Sequence, residues 1–156
     1  MSKVLLITGA SRGIGAETAR LAAAHGYSLC LNYLHNEAAA SELLEALTAG
    51  GHDAIMFQAD VGIESEVEAM FRAIDRDLGR LDGLVNNAGI LEPQSDLVDM
   101  SPARWQRILE TNVIGSFLCA REAIKRMSTE HGGKGGSIVN LSSRAADLGA
   151  AHEYVD

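Results

Sequence analysis

The sequence predicts a doubly wound α/β protein built on a parallel sheet, and three observations lead there. Five short apolar runs rich in β-branched residues alternate with longer stretches of helical period. None of the runs shows the in-and-out alternation of a one-sided sheet, so each strand is expected to be covered on both faces. The order β-α-β-α-β-α-β-α-β needs crossover helices between parallel neighbours, and such crossovers are right-handed.

The first strand is expected at "VLLIT" (4–8) and is followed by the glycine-rich turn "TGASRGIG" (8–15), which opens the first helix. "SLCLNY" (28–33) is the second strand, and Leu43, Leu44 and Leu47 mark the apolar stripe of the helix after it. "AIMFQA" (54–59) is the third strand. Val67, Met70, Phe71, Ile74 and Leu78 then fall at i, i+3, i+4, i+7 and i+11, the spacing of one buried helix face. "LDGLVNN" (81–87) and "SIVNLSS" (137–143) supply the fourth and fifth strands.

Between those two strands the segment 102–128 reads as one long helix with two stripes. Trp105, Ile108, Leu109, Asn112, Ser116 and Cys119 form one; Val113, Phe117, Ala120, Ile124 and Met127 form the other. So broad an apolar circumference exceeds what one sheet face covers, which points to a subunit interface. The glycine-rich "HGGKGGS" (131–137) reads as a helix C-cap followed by a turn, since a strand and not a helix follows it.

The 156 residues suffice for one domain, 1–156, with a full core; 47% apolar and 4% aromatic content is that of an ordinary globular chain. The formal net charge of −8 with scattered Lys and Arg gives no footprint for nucleic acid. Cys30 and Cys119 both lie in apolar stretches, as core thiols of a reducing compartment do. The N-terminal apolar run is too short for a secretory or membrane segment, so a cytoplasmic protein without a membrane partner is expected. The five histidines lack metal-ligand spacing, and no metal is expected.

Glycines at 9, 13 and 15, placed where a strand turns into a helix, allow a tight turn and let backbone N–H groups approach a phosphate. "NNAG" (86–89) and Asp60 in "QADV" also fall at the carboxyl ends of strands, where open α/β sheets bind ligands. Each also reads as a turn former. Asn112 holds a core-facing position on its helix, where an amide must find partners.

The spacing Thr-Gly-x-x-x-Gly-x-Gly, with "NNAG", "NVIG" (112–115) and "GSIVNLSS" (136–143) in this order, resembles the short-chain dehydrogenase/reductase family from Val4 to Ser143. The resemblance implies a Rossmann-like, NAD(P)-dependent oxidoreductase that moves hydride between nicotinamide and a small carbonyl or secondary alcohol. It implies cofactor contacts from Gly9, Ser11, Arg12, Gly13, Ile14, Gly15, Asp60, Val61, Asn87, Ala88 and Gly89, with Asp60 and Val61 facing the adenine. Asn112 would hold a proton-relaying water and Ser143 the substrate oxygen. Tyr33 stands where NAD-preferring members carry an acid, and Arg12 lies in the glycine loop, so NADP is favoured over NAD. Pairing through the helix 102–128 into a homodimer or homotetramer is a further implication.

The family also needs a tyrosine and, four residues on, a lysine. Tyr154 comes slightly early and leaves no room for that lysine, so both are expected just beyond Asp156. The expectation is the N-terminal, cofactor-binding portion of a longer enzyme, incomplete at its C-terminus. The competing expectation is a dinucleotide-binding or interaction module without turnover.

Overall fold

A computed structural model describes residues 2–148. Tyr154 lies outside the described residues. Five parallel strands, β1 (Val4–Ile7), β2 (Ser28–Tyr33), β3 (Ala54–Gln58), β4 (Gly83–Asn86) and β5 (Ser137–Asn140), form one sheet in the order β3-β2-β1-β4-β5. The helices α1 (Gly13–Ala24), α2 (Glu37–Ala49), α3 (Glu64–Asp77), α4 (Pro102–Leu109), α5 (Gly115–Met127) and α6 (Ala145–Leu148) complete the alternation the sequence predicts. This is a Rossmann-like α/β fold.

Successive strand residues face opposite layers, as the period of two requires. Val4, Leu6, Cys30 and Leu84 pack with Val67, Met70, Phe71 and Ile74 of α3 and Cys119 and Ala123 of α5. Ile7, Leu29, Leu31 and Val85 pack with Ala16, Ala19 and Ala23 of α1 and Leu43 and Leu47 of α2. Small alanines on α1 let that helix lie close to the sheet, while the bulky α3 stripe fills the opposite layer.

Two expectations need correction. First, β5 is not covered on both faces: Ile138 packs into the α3–α5 layer, but Ser137, Val139 and Asn140 are exposed. On the other face the described helices lie over β1, β2 and β3 and reach β4 at Val85, leaving a groove of about 610 Å³ floored by Leu5, Val85 and Val139 between α1 and β5.

Second, 102–128 is not one regular helix. A π turn, Glu110–Ile114, joins α4 to α5. Because π geometry bonds i to i+5, it shifts the register of everything that follows. Both predicted stripes cross this shift. Ile108, Cys119 and Met127 are buried, whereas Leu109, Val113, Ile124 and Phe117, the last 70% exposed, remain in solvent. The segment 131–137 does follow a short 3₁₀ turn, Thr129–His131, through Gly132 in the left-handed region at φ +84°.

Candidate functional site

The neighbours of β1 are β2 on one side and β4 on the other, so the sheet's switch point lies between β1 and β4, where open α/β sheets part to form a crevice. A cleft of about 440 Å³ opens there, lined by Gly9, Ser11, Arg12, Gly13 and Ile14 after β1, by Asp60 and Val61 after β3, and by Asn87, Ala88 and Gly89 after β4.

The glycine loop builds one wall. Gly9 (φ +61°) and Gly13 (φ +55°) both sit in the left-handed region, which a side chain disfavours. Arg12 precedes α1 but provides no side-chain cap, whereas Asn36 caps α2 by accepting from the Ala39 N–H (3.1 Å) and Ser101 caps α4 by accepting from the Arg104 N–H (3.3 Å). The first N–H groups of a helix have no intrahelical acceptor, so those of Gly13 and Ile14 carry the positive end of α1 at this wall.

The Thr8–Asn87 contact fixes the loop against β4. The Thr8 hydroxyl accepts from the N–H groups of Asn87 (3.0 Å) and Ala88 (2.9 Å), and Asn87 Nδ2 donates to the carbonyls of Thr8 (2.8 Å) and Gly9 (2.9 Å). The close approach excludes side chains. A β-carbon on Gly9 would stand 2.9 Å from Ala88 Cα, and one on Gly15 would stand 2.5 Å from the Gly9 carbonyl. Gly15 is thus buried behind the loop and, alone among the predicted cofactor residues, does not line the cleft.

On the β2–β3 side, the Asp60 Oδ1 accepts from the Gly62 N–H (2.8 Å) in an Asx turn, and the Asp60 N–H donates to Glu66 Oε2 (2.7 Å). The rim at the end of β2 is formed by Leu34, His35 and Asn36. Among the described residues that line the cleft, Asp60 alone carries a carboxylate, and Arg12 is exposed without an ion pair. Tyr33 is buried; desolvation, then the nearby Glu37, raise its pKa.

Asn112 lies in the π turn, half-buried. Its Oδ1 accepts from the Ile90 N–H (2.8 Å) and its Nδ2 donates to the Ile90 carbonyl (3.0 Å), so the amide holds the segment that leaves "NNAG". Nearby, Asn86 Nδ2 donates to Asn140 Oδ1 of β5 (2.8 Å) and to the Ser116 carbonyl of α5 (3.2 Å). Ser143 is exposed beyond β5, and its Oγ accepts from the Ala145 N–H (3.1 Å) at the start of α6.

Thr8, Asn32, His35, Ile90 and Thr111 escaped the sequence reading. Asn32 had a usable signal, a lone amide inside an apolar strand. Thr8 was read only as the first residue of the glycine pattern.

Fold and cleft together define a Rossmann-like α/β protein with its candidate site at the switch point. The chain belongs to the short chain dehydrogenase family, whose model matches residues 3–155. It is 50% identical over 153 residues to the uncharacterized oxidoreductase YgfF of Escherichia coli, an alignment covering 98% of this chain and 62% of YgfF. It is 38% identical over 149 residues to the 3-oxoacyl-[acyl-carrier-protein] reductase FabG of Staphylococcus aureus, covering 96% of this chain and 59% of FabG. A cis-4-hydroxycyclohexanecarboxylate dehydrogenase of Sinomonas cyclohexanicum is 37% identical over 150 residues, with 96% and 58% covered. The chain therefore spans about three fifths of the length of these relatives. Among the described residues, no helix is long and apolar enough to cross a membrane.

Proposed function

We propose that this chain forms the nucleotide-binding portion of an NAD(P)-dependent oxidoreductase acting between a carbonyl and a secondary alcohol. The observation that carries the reading is the cleft itself: a glycine-walled crevice at the switch point, with an uncapped helix N-terminus on one side and Asp60 on the other. These residues fit a dinucleotide. Gly9 and Gly13 leave room for the pyrophosphate to approach the α1 amides, and Asp60 retains an oxygen for the exocyclic amine of adenine. When bound, the nicotinamide supplies or accepts the hydride.

The chain's own contribution is orientation and proton handling. Ser143 Oγ accepts from Ala145, and a hydroxyl still has its proton to donate, here to the substrate oxygen. The side-chain amide of Asn112 is engaged by Ile90, so its part is to position the segment after Gly89 and to offer its own carbonyl to a water. In this reading residues 1–156 belong to a single dinucleotide-binding domain that is incomplete at its C-terminus, the protein is cytoplasmic, and the exposed Leu109, Val113, Phe117 and Ile124 are where a second copy packs.

Arg12 and the rim Leu34, His35 and Asn36, which carries no carboxylate, support NADP over NAD, because a 2′-phosphate gains from the guanidinium and meets no acid there. Titration of the chain with NADPH and with NADH tests this. Tighter NADPH binding, with the preference lost in Arg12→Ala, is expected; equal affinities overturn the NADP assignment, and no binding of either overturns the cofactor reading.

A further inference from the structure

Asn32 is the one polar side chain of β2 that reaches three strand ends at once. It is buried, at 2% exposure, yet it is among the residues that line the cleft. Its Oδ1 accepts from the Gly9 N–H (3.1 Å), its backbone carbonyl accepts from the Ala10 N–H (2.7 Å), and its Nδ2 donates to the Ala59 carbonyl (3.0 Å). Ala59 leads directly into Asp60.

These bonds fix the amide's orientation, because a donor and an acceptor are each required on a particular side. They also engage two loop amides. With Gly9 and Ala10 held by Asn32, the amides left for an anion are those at the start of α1. At the other end, the Ala59 bond sets where the Asp60 segment begins.

We propose that Asn32 is the positioning residue of this cleft, a single buried amide that yokes the glycine loop to the Ala59–Asp60 segment, so that the two ends of a bound nucleotide are held at a fixed separation. The proposal rests on the nucleotide reading of the cleft. It makes the phosphate-side and adenine-side contacts interdependent. Asn32→Asp isolates the effect: it keeps an acceptor for Gly9 N–H but turns an oxygen toward the Ala59 carbonyl.

The test is a double-mutant cycle on the full chain, with ADP binding read by calorimetry. Asn32→Asp is expected to weaken ADP binding about tenfold, the cost of one unmet buried partner. Asp60→Ala should weaken it several-fold in the parent chain and hardly at all in the Asn32→Asp background. A purely structural role predicts a lower unfolding midpoint with losses that multiply, and that result overturns the proposal. Should Asn32→Asp fail to fold, the ¹⁵N side-chain resonances of Asn32 in the unaltered chain decide. They are expected to move both with inorganic pyrophosphate and with adenosine; movement with only one, or with neither while ADP binds, overturns it. Failure of the unaltered chain to bind ADP overturns the nucleotide reading, and this proposal with it.

Discussion

A β-carbon added to Gly15 would stand 2.6 Å from the side-chain nitrogen of Asn87, the atom that ties the glycine loop to β4. The glycine on α1 and the asparagine after β4 therefore define one joint. Gly15→Ala should destabilise the chain by about 1–3 kcal/mol through overpacking against backbone. Gly13→Ala meets open space and carries only the left-handed strain of about 1–2 kcal/mol. Urea midpoints measure both, and nucleotide affinity should fall further in Gly15→Ala than its stability loss alone explains.

Glu122 of α5 is buried among Lys125 (2.6 Å), Arg126 (3.0 Å) and Arg121 (3.6 Å). Desolvation raises its pKa, but hydrogen bonds from Lys125 and Arg126 outweigh it and hold the carboxyl below its ordinary value of 4.5. A depressed carboxyl gives stability that is fully present above that value and is lost as the pH falls through the lower folded one. Glu122→Gln should flatten this acid limb and cost about 1–3 kcal/mol near neutral pH. Denaturation midpoints across the acid range check the slope.

Burial pushes the thiols of Cys30 and Cys119 up to about 12. Thiolate is the reactive form, so neither should react with Ellman's reagent near about pH 8 while the chain is folded. Both should react on unfolding in guanidinium.

Phe117 lies on α5 with 70% of its surface in water, one turn from the exposed Val113. Phe117→Asp should shift the chain toward monomer in sedimentation at micromolar concentration while leaving its unfolding midpoint nearly unchanged. An unaltered sedimentation profile, with the parent self-associated, removes α5 from the interface.

Most of the site was legible because its residues sit at strand ends, where apolar runs stop and glycine or asparagine begins. Gly9, Asp60 and Asn87 stand out this way, Arg12 only through the family resemblance, and the parallel sheet follows from the unalternating strands. What stayed hidden depends on partners remote in the chain. The role of Thr8 arises from amides 79 and 80 residues on, and Asn32 looks like one polar residue in "SLCLNY" until Gly9 and Ala59 come beside it. The bare face of β5 was hidden too, since an apolar run says what could be covered and not what covers it.

The π turn at Glu110–Ile114 escaped for another reason, and it carries a consequence of its own. Removing one residue between 110 and 114 would convert the i to i+5 bonds to ordinary i to i+4 ones, leaving an unbroken helix with α4 and α5 in nearly the same orientation but without the wide turn that carries Asn112. Asn112 would no longer meet Ile90. This stretch acts as a spacing held by the number of residues and not by their kind, and a one-residue deletion here should cost more than any single replacement within it.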